Sequence, residues 1–152
     1  MTGRGTDLAS QTSAGSLRIE LHQFEARRRD GIESAFLAMG KGRIDAVVIQ
    51  EDAFLTANNP AIADLAREKR LPSAGSKRFA EAGGQIGYGP NGPDMARRAA
   101  YFVDRLLKGA RPGDLPVERP TKFDLIINRR TAKALGLTIP PSLVLRADQV
   151  IE

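Results

Sequence analysis

Two carboxylates, Glu51 and Asp52, stand side by side just past the apolar run Ile44–Ile49 (IDAVVI). Paired carboxylates can serve as general acid and base, but adjacent residues of an extended chain point to opposite sides. The pair therefore does not by itself imply catalysis. A nucleophile–base couple cannot be assembled either, since the chain has no cysteine and a single histidine, His22. The same counts exclude disulfides, thiolate metal centres and multi-histidine metal sites. His22 falls on the polar side of an alternating stretch and reads as a surface residue. A lysine- or carboxylate-based enzyme stays open as a minor class.

Two further patterns could bind rather than react. Gly87-Tyr88-Gly89-Pro90-Asn91-Gly92 fits G-x-G-x-x-G between a predicted strand and a predicted helix. There, backbone N–H groups and a helix start could face a pyrophosphate. The acidic residue such a fingerprint needs about 20 positions on, at the end of the next strand, is missing. Asp124 stands at the start of its strand instead, and Pro93 removes one N–H. The alternative reading is a glycine- and proline-shaped crossover turn. Thr131–Leu137 (TAKALGL) resembles the first helix and turn of a helix-turn-helix, with Arg129 and Arg130 beside it. Pro140 and Pro141 then occupy the place of the recognition helix, where proline is poorly tolerated.

The elements that would carry these residues follow from periodicity. Leu17, Ile19 and Leu21 alternate with Arg18, Glu20 and His22, which predicts a half-buried strand over residues 17–24. Asp30 and Glu33 fit a capping box. Ile32, Ala35, Phe36 and Met39 then recur at helical spacing up to Gly40 and Gly42. The run 44–49 predicts a parallel strand covered on both faces. Asn59 as cap and Pro60 in the first turn predict a helix to Arg70. A third strand (71–74), a short helix (76–82) and a fourth strand (85–88) follow. Residues 94–108 form the strongest predicted helix, with Met95, Ala99, Phe102, Val103 and Leu106 in one stripe between Pro93 and Gly109. After Pro112, Pro116 and Pro120 comes a fifth strand, 123–128. Asn128 caps a short helix closed by Gly136, and a short terminal segment ends the chain.

Strand and helix alternate over residues 17–75 as in a doubly wound α/β fold with a mostly parallel sheet. Such sheets bind ligands beyond the carboxyl ends of their strands. That rule nominates Gln50, Glu51 and Asp52 after the second strand, and Gly75 and Ser76 after the third.

Composition agrees with a folded domain. The 152 residues are 41% hydrophobic and include 15 glycines, enough for one domain with a real core. With 23 basic and 18 acidic residues, the net charge is +5. This permits a nucleic-acid partner without requiring one, because the basic residues come in scattered pairs. No apolar run approaches the roughly 18 residues of a membrane-spanning helix. Residues 1–16 (MTGRGTDLASQTSAGS) are polar and lack the apolar stretch of a secretory signal. They read as a flexible tail, and the chain as given would stay in the cytoplasm.

Four segments carry a family resemblance: Arg70-Leu71-Pro72; Phe79–Gly84 (FAEAGG) leading to Tyr88–Asn91 (YGPN); Pro116–Asn128 (PVERPTKFDLIIN); and Thr131–Leu143 (TAKALGLTIPPSL). Together they make residues 17–152 similar to the C-terminal half of the ABC transporter substrate-binding proteins of the tryptophan-transport-like family. The resemblance implies a lobe of the type I periplasmic-binding-protein fold. It also implies capture of a small solute, such as an amino acid, in a cleft between two lobes. An inner-membrane ABC permease would receive the solute. By the same resemblance the setting is periplasmic, and there is no cofactor, no metal, no enzymatic chemistry and no nucleic-acid partner.

The site residues implied are Gln50, Asp52, Ser76, Tyr88 and Asn91. Asp52 matches an acidic residue in a Pro-Asp-Pro-like loop, with Glu51 and Ala53 replacing the prolines. Tyr88 and Asn91 match the crossover beside the cleft. The loop at Gly75 and Ser76 is one residue shorter than the family's. Residues 17–92 would form lobe two, and residues 93–110 a helix returning to lobe one. Residues 111–152 would add the proline-rich connection, the last strand and the C-terminal helix. The resemblance leaves lobe one and the export signal unaccounted for, so the expectation is a truncated form. The apolar stripe of helix 94–108 would then favour self-association. The alternatives are a small nucleic-acid-binding protein, or a nucleotide-dependent enzyme using the Gly87–Gly92 turn.

Overall fold

The computed structural model describes residues 4–152. Its centre is a five-stranded sheet in the order β1-β2-β3-β4-β5. The strands are β1 (Val47–Val48), β2 (Ser73–Gly75), β3 (Ile86–Pro90), β4 (Phe123–Asn128) and β5 (Gln149–Ile151). All neighbours run parallel except β3 and β4, which are antiparallel. The helices are α1 (Arg4–Ser16), α2 (Arg29–Lys41), α3 (Ala53–Ala57), α4 (Asn59–Glu68), α5 (Lys77–Glu81), α6 (Gly92–Leu107), α7 (Arg129–Ala134) and α8 (Pro141–Val144). This is the expected α/β architecture with a mostly parallel sheet.

The core lies on one face of that sheet. Ile32, Phe36 and Met39 of α2 meet Ile62, Ala63 and Ala66 of α4, Val47 of β1, Leu71 and Phe79 of α5. The apolar residues of α2 recur at i, i+4, i+7, so a single stripe is buried. Phe79 is 0% exposed and decides how closely α5 approaches the strands. A Cβ on Gly84 would stand 2.2 Å from its ring, and one on Gly75 would stand 2.8 Å away. A Cβ on Gly87 would meet the Ala80 methyl at 2.8 Å. The helix therefore lies against the sheet where glycine permits it.

The other face is exposed at Val48 and Tyr88 but covered at Ile127, which is 0% exposed. Val48, Ala74, Ile86 and Ile127 are cross-strand neighbours and so share it, and Tyr88, two residues beyond Ile86, joins them. On that face Val48 is 75% and Tyr88 61% exposed.

Several expectations are corrected. Residues 17–24 form no strand, and Leu17 is 69% exposed. Alternation makes a residue suitable for a pleated surface but supplies no ladder partner, and β1 closes the sheet with nothing hydrogen-bonded on its outer side. Of the tail, residues 4–16 are helical, with Ala14 buried and its carbonyl accepting from the Ile19 N–H at 2.9 Å; Met1, Thr2 and Gly3 lie outside the described residues. Asp30 does not cap α2, whose N-cap is Arg28 without a side-chain bond. Asp30 sits inside the first turn, where its charge complements the helix dipole. The terminal segment adds β5, held by the Leu125 N–H donating to Asp148 and by Arg129 paired with Glu152 at 2.7 Å. Three residues were too few for periodicity to reveal it.

Candidate ligand-binding groove

Because β1, β2 and β3 are parallel, their carboxyl ends share one edge of the sheet. Beyond β1 the chain runs through Gln50, Glu51 and Asp52 into α3. Asp52 is its N-cap, with Oδ1 accepting from the N–H groups of Phe54 at 2.8 Å and Leu55 at 3.2 Å. A short polar side chain before a helix satisfies N–H groups that have no intrahelical acceptor. Beyond β2, Ser76 precedes α5; its carbonyl accepts from Phe79 N–H at 3.0 Å, while its hydroxyl makes no capping bond.

Between these two turns lies a groove of about 640 Å³ lined by Glu51, Asp52, Ala53, Thr56, Ala57 and Arg78. It is open to solvent and carries charges of both signs. Its α3 wall is anchored from behind by Asn58. That buried side chain donates to the Phe54 carbonyl at 2.8 Å and accepts from Arg29 Nε at 3.1 Å, tying the α3–α4 corner to α2.

The expected site residues separate here. Asp52 lines the groove. Gln50 is exposed and Ser76 half-buried, each at the mouth of its strand. Asn91 lies at the same edge past β3, but its side chain is engaged within the fold. Its Oδ1 accepts from Asp94 N–H at 2.8 Å and caps α6. Its Nδ2 donates to Asp124 at 2.8 and 3.0 Å. Asp124 is buried and has Lys77 Nζ at 3.9 Å. Tyr88 is on the exposed side of the sheet, stacked on Phe123 with ring centroids 5.5 Å apart and planes at 12°. Neither Tyr88 nor Asn91 lines the groove.

The other sequence patterns take structural places. Gly87 and Gly89 lie within β3, and Gly92 opens α6. After α7, whose cap Asn128 accepts from Thr131 N–H at 3.0 Å, comes α8, a single turn of four residues. A recognition helix of useful length is not formed. His22 is a surface residue beside Glu20, 3.2 Å away. The stripe of α6 is uncovered: no residue of that helix is buried. Arg98 on it lies over the Tyr101 ring at 4.1 Å and pairs with Glu118.

Residues 9–151 match the profile of the ABC transporter substrate binding protein family. The chain belongs to that family. A tyrosine-binding protein of Clostridioides difficile (strain R20291) is 26% identical to it over 97 residues, which is 63% of this chain and 28% of that protein. A conserved domain protein from Vibrio cholerae superposes with a TM-score of 0.85 at 25% identity, covering 95% of this chain and 50% of its own. An ABC domain from Streptococcus pneumoniae, solved in complex with L-Trp, gives 0.84 at 25% identity over 96% of this chain and 51% of its own. A ligand-free, open substrate-binding protein from Clostridium difficile shares the fold, with a TM-score of 0.71 at 19% identity. The chain thus spans about half the length of these structures and less of the curated relative. No helix among the described residues is long and apolar enough to cross a membrane.

Thr56 and Arg78 were not among the expected site residues. The strand-end rule could have reached Arg78, three residues past the end of β2, had it been carried beyond Ser76. Thr56 lies one turn into α3, which periodicity did not anticipate because the helix has only five residues.

Proposed function

We propose that this chain is the solute-binding component of an ABC transporter, and that its solute is an amino acid with an aromatic side chain. The carrying observation is the groove at the shared carboxyl edge of β1 and β2, where the Asp52-capped corner faces Arg78. The names of two relatives support the class of solute, one a tyrosine-binding protein and one a complex with L-Trp. In this reading residues 17–92 and 111–152 form one lobe, and the groove is half of a cleft that a second lobe completes by closing over it. Helix α6, which fills most of residues 93–110, returns to that second lobe, and its uncovered stripe is the surface it buries there. A permease would receive the solute on the outer side of the inner membrane. No enzymatic step is needed for such a role. Without a second lobe, the same stripe drives association of copies.

The chain contains no tryptophan and two tyrosines, so L-tryptophan excited beyond the tyrosine absorption band reports binding with no tryptophan signal from the protein. Adding the protein to L-tryptophan should shift or enhance ligand emission saturably, and L-tyrosine should compete. An unchanged emission up to millimolar protein, with no heat on mixing with L-tyrosine, would overturn the proposal.

A further inference from the structure

Resting on that reading, we propose that Arg78 and Glu51 recognise the two charged ends of the solute, so that the site selects a free α-amino acid with both its carboxylate and its ammonium unblocked. Arg78 is held in place by its neighbour. Phe79 is fully buried between Gly75 and Gly84, and the Arg78 carbonyl accepts from Ala82 N–H at 3.0 Å. The backbone of Arg78 is therefore fixed against the sheet while its side chain is exposed along the groove.

Neither Arg78 nor Glu51 is spent on the fold. Among the described residues no ion pair or side-chain hydrogen bond uses either one, whereas Arg67 pairs with Asp64, Arg97 with Asp94 and Arg129 with Glu152. Asp52 is different, since one of its oxygens serves α3. The groove therefore offers one uncommitted guanidinium from the α5 side. The β1–α3 turn offers an uncommitted carboxylate to the same groove.

The chemistry of each end follows. A guanidinium presents a planar fork of N–H donors that matches a carboxylate with two parallel bonds. A carboxylate has no donors and suits an ammonium group. An α-amino acid carries both charged groups on one carbon, so a single small solute in the groove can meet both residues. An ester or amide leaves the guanidinium unmatched, a decarboxylated amine does the same, and a peptide sets its two charged ends several bonds apart. Excluding water when a second lobe closes would strengthen both contacts.

The test compares three probes on the wild-type chain and two variants: L-tryptophan, tryptamine (no carboxylate) and indole-3-propionate (no ammonium). Arg78→Gln should weaken L-tryptophan and indole-3-propionate by roughly 10- to 100-fold, the scale of a charge-assisted contact, and leave tryptamine unchanged. Glu51→Gln should weaken L-tryptophan and tryptamine and leave indole-3-propionate unchanged. Urea unfolding midpoints equal to wild type would confirm that both variants fold. Wild-type affinity for L-tryptophan in Arg78→Gln, or equal losses for all three probes, would overturn the assignment while leaving the proposed function standing. No binding of L-tryptophan or L-tyrosine by the wild-type chain would overturn the proposed function, and the assignment with it.

Discussion

Replacing Asn91 by alanine separates a structural role from a ligand-binding one. Its side chain makes two kinds of contact, one to the first turn of α6 and one to the buried carboxylate of Asp124. Losing an N-cap costs about 0.5–2 kcal/mol. Losing hydrogen bonds to a charged group costs about 1.5–3 kcal/mol, and the Asp124 side chain is only 8% exposed, so water replaces the amide poorly. The remaining cation, Lys77, is 3.9 Å away and 44% exposed, which gives limited compensation. Asn91→Ala should therefore lose roughly 2–5 kcal/mol.

Asn91→Ser keeps a capping oxygen but cannot donate an amide to Asp124. It should recover about 1 kcal/mol of the loss. On an Asp124→Ala background the serine substitution should cost less than about 0.5 kcal/mol, because the partner is already gone. Urea unfolding followed by circular dichroism gives these values from midpoint shifts at constant slope. If Asn91→Ala and Asn91→Ser both unfold within about 0.5 kcal/mol of wild type, Asn91 does not hold α6 to β4. Its assignment as a residue of the fold rather than of the groove then fails.

Gly84→Ala places a methyl group 2.2 Å from the ring of fully buried Phe79. It should cost at least about 1–3 kcal/mol, and Phe79→Leu in the same chain should restore part of it; a Gly84→Ala protein as stable as wild type would contradict the packing described for α5. The hydrogen bonds from Arg98 hold the Glu118 carboxyl below its usual range of about 4.5, against a smaller opposing effect of desolvation. A carboxyl depressed in the folded state contributes stability above its unfolded value and loses it as pH falls through the folded one. In a carbon-13 titration Glu118 should therefore titrate lower in the folded than in the unfolded chain, and Arg98→Gln should raise its folded-state midpoint. A Glu118 midpoint that Arg98→Gln leaves unchanged would refute the pairing.

Much of this arrangement was legible in the residues alone, and the reasons are local. The stripe Ile32, Phe36, Met39 marked α2, and Asn128 marked the cap of α7. The limits of β4, Phe123–Asn128, were read correctly, because an apolar run between a proline-rich loop and a capping asparagine is bounded by short-range chemistry. The same holds for the carboxyl edge of the sheet, since parallel strands place their ends together whatever their side chains. It extends to Asp52, whose position ahead of α3 puts it at the groove.

What tertiary structure alone decided depends on partners distant in sequence. Leu17, Ile19 and Leu21 alternate like a strand and still form none, because no strand lies beside them to complete a ladder. Asn91 has the chemistry of a ligand-binding amide, but Asp124, 33 residues away, takes its donors. Tyr88 lies within the strand that Asn91 follows, and the parity of the pleat sends it to the exposed side of the sheet. Arg78 gained its place in the groove through the ring of Phe79 and the glycines that admit it. A backbone hydrogen bond or a cap is written within a few residues. Whether a polar side chain is free for a solute is known only once the chain has brought every competing group to it.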